Sequence, residues 1–197
     1  MRPVLIALSA PSGCGKTTIA HAIMQRHPEI LFSVSATSRP RRATEVDGKD
    51  YFFLPKEDFE QKIKNNELVE WELIYGNYYG TLKREIDRAL GLGNSMLFDI
   101  DVNGALSIKR QYPNDSLLIF IEPPNLEELI NRLKNRKTED PETLRRRLDR
   151  VPMEMEKRRL FDMCVVNDDL ERAVNEVDSL IARFVVAGTT VTDQIQG

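Results

Sequence analysis

Ten residues near the N-terminus, Ser9-Ala10-Pro11-Ser12-Gly13-Cys14-Gly15-Lys16-Thr17-Thr18, constrain this chain more than any other stretch. They follow an apolar run, Val4 to Leu8, with the character of a strand. They precede a pattern in which Ile19, Ala20, Ile23 and Met24 recur at helical spacing. Strand, glycine-bearing loop and helix in that order are the context of a P-loop. Gly13 and Gly15 let successive backbone N–H groups turn toward one anion, and the helix N-terminus adds the positive end of its dipole. Lys16 is placed to reach outer phosphates and Thr17 to ligate a magnesium ion, so the expected ligand is a nucleoside triphosphate. One position departs from the pattern: Ala10 stands where its first glycine would be. Alanine is small enough to be tolerated there, but a positive φ at that residue would be strained.

The 197 residues fit one α/β domain with room for small subdomains. With 28 basic and 31 acidic side chains, the net charge of -3 argues against a surface built to hold nucleic acid. Cys14 and Cys164 lack metal-ligand spacing, and one of them lies inside the phosphate loop, which points to a reducing, cytoplasmic setting rather than a disulfide framework. The first apolar run is too short for a signal peptide or a membrane span. His21 and His27 both fall in the first helix, where a solvated face accounts for them, so histidine acid/base chemistry is not expected.

Further along, the first helix should stop before Pro28, and Leu31 to Ser35 reads as a second strand that empties into a basic loop, Arg39-Pro40-Arg41-Arg42. The pattern then predicts a short strand at Tyr51 to Leu54, a helix over about 56–65 and a strand at Leu68 to Ile74, so that residues 36–82 form a small β-rich insertion. A helix from about Leu82 to Leu90 leads to Ser95-Met96-Leu97-Phe98-Asp99-Ile100-Asp101, a buried strand with acids at its exit, where ligands of parallel sheets gather. Ser116 to Ile121 is another apolar strand. A charged helical stretch over 126–159, broken near Pro141, suggests a hinged, exposed hairpin whose second half is mainly charge. A last strand over 162–167 and a helix capped by Asp168 or Asp169 close the core, and the tail from 187 to 197 has little to bury. The expected architecture is therefore an α/β parallel sheet flanked by helices, with residues 1–35, 83–125 and 160–186 as its core.

A phosphate loop alone does not separate a GTPase, a helicase fragment and a small-molecule kinase. The insertion narrows the choice, because Arg39, Arg42, Tyr51 and Tyr79 are fixed donors suited to a second phosphate-bearing ligand. Two anion sites at one sheet edge suggest phosphoryl transfer between nucleotides.

These motifs together resemble the guanylate kinase family from Val4 to about Ile181: Ala10 to Thr17, Ser33-Val34-Ser35-Ala36-Thr37-Ser38-Arg39, Glu45 to Tyr51, Glu70-Trp71, Gly76-Asn77-Tyr78-Tyr79-Gly80-Thr81, Asp99 to Gly104, and Val166-Asn167-Asp168-Asp169. The resemblance implies transfer from ATP, with Mg2+, to GMP. It assigns Arg39, Arg42, Tyr51 and Tyr79 to the GMP phosphate and Ser35, Glu70, Thr81 and Asp101 to the guanine. Asp99 becomes an acid near magnesium, Arg136 and Arg147 lid arginines over the transferring phosphates, and Asn167 a neighbour of the adenine. Residues 36–82 become the GMP-binding subdomain. No nucleic-acid or membrane partner is implied, and a homo-oligomer stays open.

The chain departs from the family pattern where Arg39-Pro40-Arg41-Arg42-Ala43-Thr44-Glu45 moves a proline and replaces a glycine, so Arg41 competes with Arg42 for the second phosphate contact. In the lid, Arg136-Lys137-Thr138-Glu139 has lost another glycine. Two other readings remain open at this point: a non-catalytic interaction module of the same fold, against which Lys16 speaks, and a kinase for another base, which Glu70 and Asp101 discriminate.

Overall fold

The computed structural model describes residues 3–74, 76–134 and 141–187. From the N-terminus the chain forms β1 (Leu5–Ser9), α1 (Lys16–Arg26), β2 (Leu31–Phe32), β3 (Ala36–Thr37), β4 (Phe52–Phe53) and α2 (Lys56–Lys64). It continues through β5 (Leu68–Ile74), β6 (Asn77–Leu82), α3 (Lys83–Gly91), β7 (Met96–Asp99), α4 (Val102–Gln111) and β8 (Ser116–Glu122). The last elements are α5 (Leu126–Lys134), α6 (Pro141–Glu156), a 3-10 turn at Lys157–Leu160, β9 (Met163–Val166) and α7 (Leu170–Ala187).

Every residue of β1 is buried because the strand lies inside a parallel sheet with helices on both faces, which explains its unbroken apolar run. The sheet has five strands in the order β2-β7-β1-β8-β9. Alternation divides the core in two. Ile6, Leu8, Leu97, Leu117, Ile119 and Ile121 pack with Ile19 and Ile23 of α1, Leu129 and Leu133 of α5, and Val174, Val177 and Ile181 of α7. Leu5, Ala7, Met96, Phe98 and Leu118 face the other way, onto Ile86 and Ala89 of α3 and Ala105 and Ile108 of α4. Burying each Leu, Ile, Val, Met or Phe among them contributes about 1.5–3 kcal/mol, so this double-sided packing is the main source of cohesion.

The insertion is a second sheet of four strands in the order β4-β3-β6-β5. Its core is small: Ala36, Phe59, Leu68 and Leu82, with Phe59 stacked on Tyr78 at 5.3 Å between ring centroids. The strand expected over 31–35 is shorter, ending at Phe32. Leu31 and Phe32 pair with β7, the chain then turns away, and Ala36–Thr37 pairs with β4 and β6. β6 was not anticipated as a strand, because Asn77-Tyr78-Tyr79-Gly80 lacks clear alternation; its pairing with β5 holds it extended.

The charged helical stretch is less exposed than its composition suggests. Leu129 and Leu133 of α5 and Val151 of α6 are buried in the main core, so the second half of this region packs as well as offering charge. Arg136 and the broken segment around it lie outside the described residues, as does the tail from 188 to 197. α7 is capped by Asp169, whose Oδ1 accepts from the Arg172 N–H at 2.8 Å. Among the described residues no helix is long and apolar enough to cross a membrane.

His27 does not sit on a solvated face. It closes the C-terminal end of α1, with Nε2 2.6 Å from Asp178 of α7 and Nδ1 3.0 Å from Glu29. The hydrogen bond to Asp178 raises its pKa above the ordinary 6.5, with Glu29 adding to the shift against partial burial. A raised folded-state pKa makes the contribution largest below the unfolded value and removes it as pH rises through the folded one. Asp178→Asn should therefore lower the thermal midpoint clearly at about pH 5.5 and much less at about pH 9. Equal losses at both values would remove the charge from this contact.

Candidate active site

The phosphate loop leaves β1 at Ser9 and enters α1 at Lys16. Gly15 has φ of 81°, and a Cβ there would stand 2.5 Å from the Asn167 amide nitrogen, so both conformation and space demand glycine. Gly13 is likewise at positive φ, 93°. Ala10 is not among the positive-φ residues, so the backbone strain considered from the sequence does not arise. A glycine N-cap offers α1 no side-chain acceptor, which leaves first-turn N–H groups for an anionic ligand.

β1 pairs in parallel with β7, with Leu8 opposite Asp99, and this register brings the two strand exits together. The Lys16 ammonium lies 2.8 Å from Asp99 Oδ1 and donates to the Ile100 carbonyl at 2.6 Å. The Thr17 hydroxyl donates to Asp99 Oδ2 at 2.6 Å. Thr17 and Asp99 thus put two hard oxygens side by side. Among the described residues no group of three or more His, Cys, Asp or Glu side chains is placed to hold a metal. This donor set suits an ion that takes one or two protein oxygens and completes its shell with phosphate and water, as magnesium does.

Two residues at the phosphate loop are buried. Cys14 is buried in the core, and burial pushes its thiol up to about 12, so a bulky thiol reagent would meet the exposed Cys164 first. Asn167 is also buried, and its amide donates to the Cys14 carbonyl at 2.8 Å. This bond ties the end of β9 to the phosphate loop.

On the other side, the β5–β6 register sets Glu70 opposite Thr81, whose hydroxyl donates to Glu70 Oε1 at 2.7 Å. A Cβ on Gly80 would fall 2.6 Å from the Glu70 carbonyl oxygen, so this close pairing needs glycine. Burial raises the Glu70 carboxyl to about 7; Thr81 opposes the shift, while the nearby charges of Asp101 and Glu72 add to it. Asp101 caps α4, its Oδ1 accepting from the Gly104 N–H at 2.7 Å. Ser35 stands where the chain passes between the sheets, half-buried, and its carbonyl accepts from the Phe52 N–H at 2.9 Å.

Arg39, Tyr51 and Tyr79 form one cluster. The Arg39 guanidinium makes a bidentate pair with Glu45, at 2.9 and 2.7 Å, and lies over the Tyr51 ring, 5.4 Å from its centroid. Tyr51 and Tyr79 meet edge to face at 6.1 Å. Glu45, held by Arg39 and by the Arg42 backbone N–H, is depressed to about 2 and so stays ionised. The competing arginines differ in their engagement. Arg41 donates to the Glu45 carbonyl at 2.8 Å. The Arg42 side chain is exposed and makes no hydrogen bond or ion pair among the described residues.

A cleft of about 630 Å³ is lined by residues Ala10 to Thr18 and by Glu72, Asp99, Asp101, Arg147, Arg150 and Glu154; of the residues expected to hold GMP only Asp101 lines it, while Ser35, Arg39, Arg42, Tyr51, Glu70, Tyr79 and Thr81 do not. Arg147 of α6 donates to the Ser12 hydroxyl at 2.6 Å. Arg150, Glu154 and Glu72 were not anticipated from the sequence. Arg150 and Glu154 stand three and seven residues beyond Arg147, on one helical face, a spacing that would have disclosed them.

A family model described as guanylate kinase matches residues 1–184. A guanylate kinase of Chlorobaculum tepidum is 49% identical over 181 residues, covering 92% of this chain and 93% of the relative. One from Chlorobium luteolum is 46% identical over 181 residues, covering 92% of each. The crystal structure of a guanylate kinase from Anaplasma phagocytophilum superposes with a TM-score of 0.70 at 29% identity, covering 95% of this chain and 87% of that one. A gluconokinase from Sinorhizobium meliloti, 16% identical with a TM-score of 0.52 over 94% of this chain and 95% of its own, shares the fold.

Proposed function

The chain belongs to the guanylate kinase family, and from that premise we propose how its residues divide the transfer of the ATP γ-phosphoryl group to GMP. The observation that carries this division is the cleft that the phosphate loop with Lys16 shares with Asp101, at the start of α4, and Glu72 of β5. Residues 36–82 are the GMP-binding subdomain and 126–159 the lid.

The donor side consists of residues Ala10 to Thr18, with Lys16 neutralising the outer phosphates and Asn167 holding the loop through the Cys14 carbonyl. On the acceptor side Arg39, Arg42, Tyr51 and Tyr79 hold the GMP phosphate, while Glu70, Thr81, Asp101 and Ser35 face the base. In the transfer an oxygen of the GMP phosphate forms a bond to the γ-phosphorus, and the bond from that phosphorus to the β,γ-bridging oxygen breaks. The bonding pair leaves with ADP. The attacking oxygen is already ionised near neutral pH, so no side chain has to take a proton, in keeping with the two histidines lying outside the cleft. The remaining requirements are alignment and neutralisation of two polyanions. Thr17 and Asp99 would hold Mg2+, which supplies charge neutralisation at the donor phosphates. Arg147, and Arg136 from the lid segment outside the described residues, close over the phosphates and exclude water as a competing acceptor.

Arg42→Ala should raise the KM for GMP by about tenfold or more, and Arg41→Ala by far less, because only Arg42 has its guanidinium unspent. Equal effects or the reverse order would show that the moved proline had shifted the register. The functional assignment itself is tested by coupled assays of ATP with GMP, AMP, UMP and CMP. A kcat/KM for GMP far above the others is expected, and a preference for another base would refute it.

A further inference from the structure

Among the cations of the cleft, Arg150 stands out by what it does not touch. Lys16 is bound to Asp99 and the Ile100 carbonyl, and Arg147 to Ser12. The Arg150 guanidinium lies between two carboxylates, with Nε 3.7 Å from Glu154 Oε1 and a terminal nitrogen 3.9 Å from Asp101 Oδ2. Both distances are longer than hydrogen bonds, so its donors are held near the cleft by charge without being consumed. The two carboxylates come from different elements, Asp101 from the N-cap of α4 and Glu154 from α6. Asp101 spends Oδ1 on the Gly104 N–H and turns Oδ2 toward Arg150 from the acceptor side. Glu154 is only 7% exposed, faces the Ser12 N–H of the phosphate loop, and keeps Oε2 without a hydrogen-bond partner. Arg150 itself is half-exposed and free to reorient.

We propose that Arg150 is a further catalytic residue, whose guanidinium, anchored by Glu154, contacts the phosphoryl group as it passes from donor to acceptor. Arg150 and Arg147 lie one turn apart on α6, so both reach the cleft from the same face. A phosphate oxygen in the cleft offers a guanidinium charge-assisted hydrogen bonds, which the long contacts to Asp101 and Glu154 do not. Charge on the phosphoryl oxygens is redistributed in the transition state, so the contact should act mainly on kcat. Glu154 acts through Arg150 and is a positioning residue.

This inference rests on the ATP-to-GMP reading above. Steady-state kinetics of Arg150→Ala should show kcat reduced about tenfold or more, with both KM values within about threefold of the parent. Arg150→Lys should retain an intermediate rate, and added guanidinium ion should restore part of the rate to Arg150→Ala while leaving the parent unimproved. Glu154→Gln should lower kcat less than Arg150→Ala does. A kcat within about twofold of the parent in Arg150→Ala overturns the assignment. So does a raised KM for GMP at unchanged kcat, or a fall in kcat that tracks a lowered thermal midpoint and resists guanidinium. A parent chain that transfers nothing would defeat the functional reading itself. Arg150 is then tested separately by calorimetric binding of an adenosine–guanosine polyphosphate dinucleotide, expected to weaken about tenfold in Arg150→Ala and, if unchanged, excluding the contact.

Discussion

Lys16→Ala is expected to lower kcat by at least about 10²-fold while leaving the folded chain and its thermal midpoint nearly unchanged. The ammonium lies at the mouth of the cleft, 2.8 Å from Asp99, and its side chain is outside the apolar core. Removing it costs the donor phosphates their nearest fixed positive charge, where a preorganised cation is worth most. Asp99 would then face the phosphates without its partner, adding repulsion to the loss. Lys16→Arg should not rescue, because the short contacts to Asp99 and Ile100 suit a compact ammonium better than a planar fork. Turnover near the parent value in Lys16→Ala would remove the phosphate loop from the reaction.

The second large effect concerns the base. Guanine presents N1–H and its exocyclic amine as adjacent donors, and an ionised Glu70 can accept both. Adenine sets a lone pair against the same carboxylate and leaves its buried oxygens unsatisfied. Sites built on such pairs discriminate by about 10⁴-fold. Glu70→Gln has one acceptor oxygen and a new donor, so kcat/KM for GMP should fall by about 10²-fold or more, and the GMP-to-AMP ratio should narrow. The raised carboxyl adds a pH signature. Below about 7 the folded protein carries a proton on Glu70 that guanine must displace, so GMP affinity should weaken as pH falls through that value in the parent. In Glu70→Gln this dependence should be lost. An unchanged nucleotide ratio would mean that Glu70 does not read the base.

Glu70 and Thr81 were legible in the sequence as motif residues, yet the reason they meet was not. Their contact depends on a strand, β6, whose own residues carry little strand character and on Gly80 allowing β5 to approach. By contrast β1, the phosphate loop and α1 were readable because each is specified locally, by an apolar run, two glycines and a helical period. Parallel pairing with β7 then brings Asp99 to Lys16 without any further signal. Cys14 and Asn167 show the limit of local reading: packing with α5 and β9 buries the first, and the end of β9 brings the second to its carbonyl. Arg150 and Glu154 were visible at helical spacing from Arg147. A run of charge on a helix ordinarily faces solvent, but Val151, between them in sequence, is buried in the core and turns this face inward.

The central claim is direct transfer between two nucleotides held at facing sites, and isotopic tracing tests it most directly. ATP labelled in its γ-phosphoryl group is incubated with the protein, magnesium and GMP, and the products are separated before the reaction reaches equilibrium. The account predicts label in the β-phosphoryl group of GDP, appearing in step with unlabelled ADP and without a lag, and lost when Lys16 is replaced by alanine. Label released chiefly as inorganic phosphate, or ATP left intact while GMP is bound, would contradict it.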